Sequence, residues 1–61
     1  MTDNAVNNSN KLTILVVDDN NDMREIMEEL IICYGHRTES ASNGQEAVKK
    51  AAEKNYDLIL M

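Results

Sequence analysis

Hydrophobic and polar residues are grouped in blocks along the chain, and their spacing changes from block to block. Residues 12–17, LTILVV, are almost continuously apolar and rich in β-branched side chains. A half-exposed strand alternates polar and apolar residues, whereas a strand covered on both faces is apolar throughout. The segment therefore predicts a buried strand of a parallel sheet. The short apolar run at 58–61, LILM, predicts a second buried strand.

A helix is predicted after the first strand, because apolar residues recur there at steps of three and four. These residues are Met23, Ile26, Met27, Leu30, Ile31 and Tyr34. We expect Asn21 or Asp22 to cap the start of this helix, with Glu25 as the reciprocal partner of Asp22. Gly35 follows the last apolar position, and we expect it to end the helix with a positive φ. Arg24 could lie near the acidic turn, but we expect it to be a solvated residue early in this helix with no functional role.

A second helix is predicted after Asn43, which can act as its cap, with Glu46 three residues later. Its apolar side is formed by Ala47, Val48, Ala51 and Ala52, and its lysines, Lys49, Lys50 and Lys54, are expected to point largely outward. The sequence KNYD at 54–57 ends the helix. Residues 36–41 form a weaker strand candidate, assigned mainly because an extended segment must join the two helices.

The resulting pattern of strand–helix–strand–helix–strand predicts an α/β fold with right-handed crossovers. We expect a flavodoxin-like, doubly wound parallel sheet with strand order 2-1-3, of which these residues form the first five elements. Residues 1–10 contain four Asn, one Ser and one Thr, with little to bury, and predict a disordered leader. The single small domain then covers residues 11–61.

Composition and charge narrow the range of partners. Eleven acidic residues against six basic ones give a formal net charge of −5. Nucleic-acid phosphates attract basic surfaces, so we expect no nucleic-acid binding by this segment. No apolar run approaches the roughly 20 residues that cross a bilayer, and no secretory signal is present, so a cytoplasmic protein is predicted. One cysteine and one histidine exclude a structural zinc site of the usual kind.

Two acidic residues follow the first predicted strand. Open parallel sheets place their functional sites beyond the carboxyl ends of the strands, and Asp18 and Asp19 occupy that position. The order 2-1-3 sets the pair about one strand spacing, ~5 Å, from whatever follows Met61. Two like charges held there favour a hard divalent cation, and Mg²⁺ needs only one or two protein carboxylates. Asp18 and Asp19 are therefore candidate Mg²⁺ ligands.

Helix capping offers a simpler interpretation of the same turn. Polar turns after strands commonly cap the helix that follows, which would account for Asn21 and Asp22. It does not account for Asp18 at the end of a buried strand, where an unpartnered acid carries a desolvation cost. We favour a metal or phosphate role for the acidic pair and keep capping as the alternative.

Three segments, ILVVDDNNDMR, GHRTESASNGQEAV and YDLILM, occur in an order and at a spacing that resemble the receiver domain of response regulators and hybrid histidine kinases. The resemblance covers residues 11–61 and corresponds to the amino-terminal part of that domain. It implies that Asp18 and Asp19 hold Mg²⁺ and that Asn20 lies near the phosphoryl group. It also implies that the phosphoacceptor aspartate follows immediately after Met61, so that no catalytic residue lies within residues 1–61.

The function implied by this resemblance is phosphoryl acceptance in two-component signal transduction. The donor would be a histidine kinase or a histidine phosphotransfer protein, and the module would be a signalling switch, only loosely an enzyme. One alternative is a pseudo-receiver that acts as a non-catalytic interaction module, and another is an inactive fragment. For an isolated fragment, we expect self-association through the unpaired edge of the third strand.

Overall fold

The computed structural model describes residues 11–61, and the leader predicted at 1–10 lies outside the described residues. The elements are β1 (Thr13–Val17), α1 (Asn21–Cys33), β2 (Arg37–Ala41), α2 (Gly44–Glu53) and β3 (Leu58–Leu60). This order confirms the predicted alternation of strands and helices. The weak strand candidate at 36–41 is also confirmed, although it begins one residue later than predicted.

The three strands form a parallel sheet in the order β2-β1-β3, as predicted. Thr13 to Val17 lie opposite Arg37 to Ala41, and Ile14 to Val16 lie opposite Leu58 to Leu60. Because β1 is the central strand, it is hydrogen-bonded on both edges and covered on both faces. This position explains why its sequence is apolar throughout, whereas β2 has a neighbour on one edge and carries charged and hydroxyl side chains.

The core consists of two layers, one on each face of the sheet. On one face, Leu15 and Val17 pack with Ala41 and with Ala47 of α2. On the other face, the alternate residues of β1, Ile14 and Val16, pack with Ile31 of α1. Leu15 has no exposed surface at all. The two helices thus cover opposite faces of the sheet and hold β1 rigidly between them.

Both predicted helix boundaries that rest on Gly35 and Asn43 are confirmed. Gly35 has a φ of 89°, a conformation that glycine adopts without steric cost. Asn43 Oδ1 accepts a hydrogen bond of 2.8 Å from the Glu46 amide. The Glu46 carboxylate in turn accepts from the amide and the hydroxyl of Ser42, at 2.6 and 2.9 Å. These hydrogen bonds lower the pKa of Glu46.

Two lysines of the second helix region contact the sheet edge, which corrects the expectation that they point outward. Lys50 Nζ donates to the Ser40 carbonyl oxygen at 2.6 Å, and Lys54 forms an ion pair with Glu39. Long aliphatic stems let both ammonium groups reach back to β2. The hydrogen bond from Lys54, together with that from Tyr56, lowers the pKa of Glu39.

Tyr56 is expected to ionise at unusually high pH. Its hydroxyl donates to Glu39 Oε1 at 2.7 Å, and this bond raises its pKa from 10.0 to about 12. The hydrogen bond therefore contributes stability that is complete below pH 10 and is lost as the pH rises through about 12. The difference between phenolate absorbance titrations of the protein and of its Tyr56→Phe variant isolates Tyr56. Adding Glu39→Gln should move the midpoint toward 10.0, and an unchanged midpoint would contradict the assignment.

Several apolar side chains remain exposed within residues 11–61. They lie on α1, α2 and β3 and comprise Met23, Ile26, Leu30, Val48, Leu58 and Ile59. An open apolar groove of about 570 Å³ runs between α2 and β3, with Ala47, Val48 and Ile59 in its lining. Self-association of an isolated fragment through β3 stays a prediction.

In the described part of the chain, neither helix combines the length and the apolar character needed to cross a bilayer.

Candidate functional site

The acidic pair lies at the carboxyl end of the central strand. The Asp18 amide donates to the Ala41 carbonyl oxygen at 3.1 Å, which extends the β1–β2 ladder one residue beyond β1. Asp18 is half-buried and Asp19 is exposed. The backbone of Asp18 is therefore held by the sheet, while the carboxylate of Asp19 is open to solvent.

Asp18 lies beside the end of β3, as the strand order predicts. Val16 is opposite Leu60 in the register, so Val17 and Met61 continue the two strands side by side. Asp18 and Met61 both line a small pocket of about 110 Å³. The structure thus brings the first acid of the pair and the last residue of the chain to one place at the carboxyl edge of the sheet.

The carboxylates of the pair are not neutralised by basic side chains. Asp18 Oδ1 accepts a hydrogen bond of 2.9 Å from the Asn20 amide, which is the local contact of an Asx turn. Within residues 11–61 the ion pair found is that of Lys54 with Glu39, at the edge strand. The two adjacent acids therefore leave carboxylate lone pairs available to a cation.

Asn20 caps α1, which corrects the expectation that Asn21 or Asp22 does so. Its Oδ1 accepts from the Met23 amide at 3.1 Å, and its carbonyl oxygen accepts from the Arg24 amide at 3.0 Å. The helix therefore begins at Asn21. Met23 is then the third helical residue, where a Glu or Gln side chain would accept a hydrogen bond from the amide of the cap residue. Methionine has no such oxygen, so the reciprocal cap does not form. The location of Asn20 near a phosphoryl group stays a prediction.

Replacing Asn20 by alanine is expected to lower the free energy of unfolding by about 1 kcal/mol, since the Met23 amide loses its acceptor. Asn20→Asp should retain most of the stability because aspartate is an equally good cap. Denaturant unfolding measures both variants. Asn55→Ala, at an exposed loop position, is the matched control, and equal losses at positions 20 and 55 would contradict the capping role.

Arg24 contacts the acidic turn directly, which corrects the expectation of a solvated side chain. Its side chain is half-buried, and Nη1 donates to the Asp18 carbonyl oxygen at 2.7 Å, while Nη2 donates to Asn21 Oδ1. Every residue has a backbone oxygen, so the pattern of hydrophobic residues does not indicate which one an arginine contacts. The signal in the sequence is only positional, since an arginine in the first turn of a helix lies close to the turn that precedes it.

The oxygen ligands that the turn offers suit a hard cation. Asp18 and Asp19 offer carboxylate oxygens only, and no cluster of three His, Cys, Asp or Glu side chains forms among residues 11–61. Such a sparse set would not enclose Ca²⁺. It fits Mg²⁺, which keeps several waters and takes one or two carboxylates beside phosphate oxygens. Asp18 and Asp19 are the residues that would hold it.

Comparison with known sequences identifies the family. The sequence model of the response regulator receiver domain matches residues 14–61. The chain belongs to this receiver domain family. The matched residues run from the second residue of β1 to Met61, so the match contains the acidic pair, both helices and the end of β3 that lies beside Asp18.

Relatives of this receiver include both response regulators and histidine kinases. It is 40% identical over 53 residues to transcriptional regulatory protein ResD of Bacillus subtilis, covering 87% of the chain and 22% of that protein. It is 38% identical over 63 residues to hybrid signal transduction histidine kinase G of Dictyostelium discoideum, covering 100% of the chain and 2% of the kinase.

A third relative is transcriptional regulatory protein ZraR of Klebsiella oxytoca, 40% identical over 50 residues, with 82% of the chain and 11% of that protein covered. The receiver therefore spans less than a quarter of the length of each of these three relatives. No solved structure matches it. Family and fold together assign the chain to two-component signalling.

Proposed function

We propose that this receiver accepts a phosphoryl group from a phosphohistidine on a histidine kinase or histidine phosphotransfer protein, with Mg²⁺ held by Asp18 and Asp19. The acceptor is the aspartate expected after Met61. One observation carries the proposal: Asp18 and Met61 line the same pocket at the carboxyl edge of the sheet. The kinase named among the relatives supports a donor of this class.

The register supports the position of the acceptor. Val16 lies opposite Leu60, so the residue after Met61 lies opposite Asp18 at about one strand spacing, ~5 Å. At that separation Asp18 and Asp19 would hold a cation close to a phosphoryl group on the acceptor. The Asp18 amide donates to the Ala41 carbonyl oxygen, so the backbone at the start of the pair is anchored to the sheet.

The chemistry asked of the site is a phosphoryl transfer between two side chains. An acceptor carboxylate oxygen forms the new P–O bond as the P–N bond to the donor imidazole breaks, and the leaving nitrogen keeps the electron pair and takes up a proton. Bound Mg²⁺ would supply charge neutralisation and alignment for the phosphoryl oxygens. Asp18 and Asp19 would contribute by holding the cation that offsets the negative charge of the phosphoryl group.

Phosphoryl incorporation into the full-length protein tests the proposal. Phosphoramidate, a small donor with a P–N bond, replaces the unidentified kinase, and intact-mass measurement counts the phosphoryl groups gained. We expect one group in the presence of Mg²⁺, located on the residue after Met61, and none when Mg²⁺ is removed. The Asp18→Asn/Asp19→Asn variant should gain none under the same conditions.

A folded protein that gains no phosphoryl group with Mg²⁺ present would overturn the proposal and favour the pseudo-receiver alternative. Incorporation on a residue remote from the acidic pair would also overturn it. Asp22→Asn is a suitable control, since Asp22 is an exposed acid in the first turn of α1 and its loss should leave incorporation intact.

A further inference from the structure

Arg24 connects the first turn of α1 to the end of β1. Its Nη1 lies 2.7 Å from the Asp18 carbonyl oxygen, and the contact is partly buried. Its Nη2 contacts Asn21 Oδ1. One planar guanidinium therefore bridges the backbone of the acidic turn and a side chain of the helix, a geometry that its rigid fork of donors favours.

The bridge completes a closed set of hydrogen bonds around the turn. Asp18 Oδ1 accepts from the Asn20 amide, and Asn20 Oδ1 accepts from the Met23 amide. Arg24 then returns from the helix to the Asp18 carbonyl. The turn is thus held by side chains at both of its ends.

The contact fixes the peptide unit that joins the two acids. The Asp18 amide is bound to Ala41, and the Asp18 carbonyl is bound to Arg24. That carbonyl belongs to the same rigid, planar peptide group as the Asp19 amide. Holding its oxygen therefore limits rotation of the backbone between Asp18 and Asp19, and with it the relative directions of the two carboxylates.

Arg24 holds the turn without neutralising it. Both hydrogen bonds of its guanidinium end on uncharged oxygens, a backbone carbonyl and a side-chain amide. In the described residues the ion pair is formed elsewhere, by Lys54 and Glu39. An arginine paired with either aspartate would compete with a cation for the carboxylate, and this arrangement avoids that competition.

We propose that Arg24 is a positioning residue that orients Asp18 and Asp19 for cation binding through the Asp18 carbonyl. The inference rests on the proposed Mg²⁺ role of the pair. A positioning role and simple electrostatics predict opposite changes in cation affinity when Arg24 is removed. Removing a positive charge close to a cation site would by itself tighten cation binding, whereas loss of positioning weakens it.

The test is a Mg²⁺ titration of the full-length protein and its Arg24→Ala variant. We expect the dissociation constant to rise about 10- to 100-fold, the range typical of residues that orient metal ligands. Phosphoryl incorporation from phosphoramidate should fall at low Mg²⁺ and recover at saturating Mg²⁺. A general loss of structure would not produce this recovery.

Two further variants sharpen the result. Arg37→Ala removes the same charge from the opposite end of the sheet, at an exposed position, and should leave Mg²⁺ affinity within about twofold since exposed charges at long range are screened. Arg24→Lys keeps the charge but lacks the planar fork. It should still weaken Mg²⁺ binding, and it keeps the test valid if Arg24→Ala does not fold.

Unchanged or tighter Mg²⁺ binding in the folded Arg24 variants would overturn the positioning role, while wild-type incorporation would leave the proposed function standing. If the folded wild-type protein binds no Mg²⁺ and gains no phosphoryl group, the proposed function fails, and the role of Arg24 fails with it.

Discussion

Replacing Asp18 and Asp19 together by asparagine is expected to weaken Mg²⁺ binding by at least about 100-fold, equivalent to ~2.7 kcal/mol. The pair lies at the carboxyl end of β1 without a basic partner among the described residues, so its charge is available to the cation. Each unit of opposite charge at ~4 Å near a protein surface is worth about 4 kcal/mol before desolvation is subtracted. Titration calorimetry or a fluorescent competitor measures the change.

The control for this substitution is Asp22→Asn. Asp22 lies only three positions beyond Asp19 and is exposed in the first turn of α1. It removes one negative charge from the same region without touching the carboxyl end of β1, and we expect less than about a threefold loss of affinity, as for exposed charges in general. A comparable loss at Asp22 and in the double variant would show that net charge, not a defined site, attracts the cation.

Replacing Leu15 by alanine is expected to cost about 3–5 kcal/mol of unfolding free energy. Leu15 is completely buried in the middle of the central strand and packs with Val17, Ala41 and Ala47. Truncation leaves a cavity between the sheet and α2 that rigid neighbouring strands cannot close. A loss of that size is a large share of the 5–15 kcal/mol typical of whole domains, so the midpoint of denaturation should fall markedly.

Leu12→Ala is the matched control, because Leu12 precedes the same strand and is 37% exposed. It removes the same atoms from a partly solvated position, and its cost should stay below about 1.5 kcal/mol. Urea denaturation of the full-length protein compares the two variants. Similar losses for Leu12 and Leu15 would contradict the assignment of β1 as the buried central strand.

The parallel sheet could be predicted because β1 is apolar at four of its five positions. A strand that is covered on both faces tolerates the unbroken sequence ILVV of residues 14–17. The order 2-1-3, common in open parallel sheets, then placed the acids of β1 beside the end of β3. The helix ends at Gly35 and Asn43 could also be predicted, because each residue adjoins a helical pattern and is of a type that its helix end favours.

The details of the acidic turn could not be predicted from the sequence. Asn20, Asn21 and Asp22 are consecutive and are all good caps, so only the tertiary path of the chain selects Asn20. Arg24 binds a backbone carbonyl, an acceptor that every residue possesses. The helical period gives the direction of the Cα–Cβ bond of a lysine but not the position of its ammonium group, which lies at the end of a flexible stem. Lys50 and Lys54 were therefore expected to point largely outward.

Binding of Mn²⁺, which takes the same oxygen ligands as Mg²⁺, tests most directly whether the two strand ends form one cation site. Its unpaired electrons broaden the amide NMR signals of nearby residues in the full-length protein. We predict that Asp18, Asp19 and Met61 broaden first, while Arg37 at the opposite end of the sheet stays sharp. Broadening centred on the acidic residues of α1, such as Glu25 and Glu29, with Asp18 and Met61 unaffected, would contradict the proposed site.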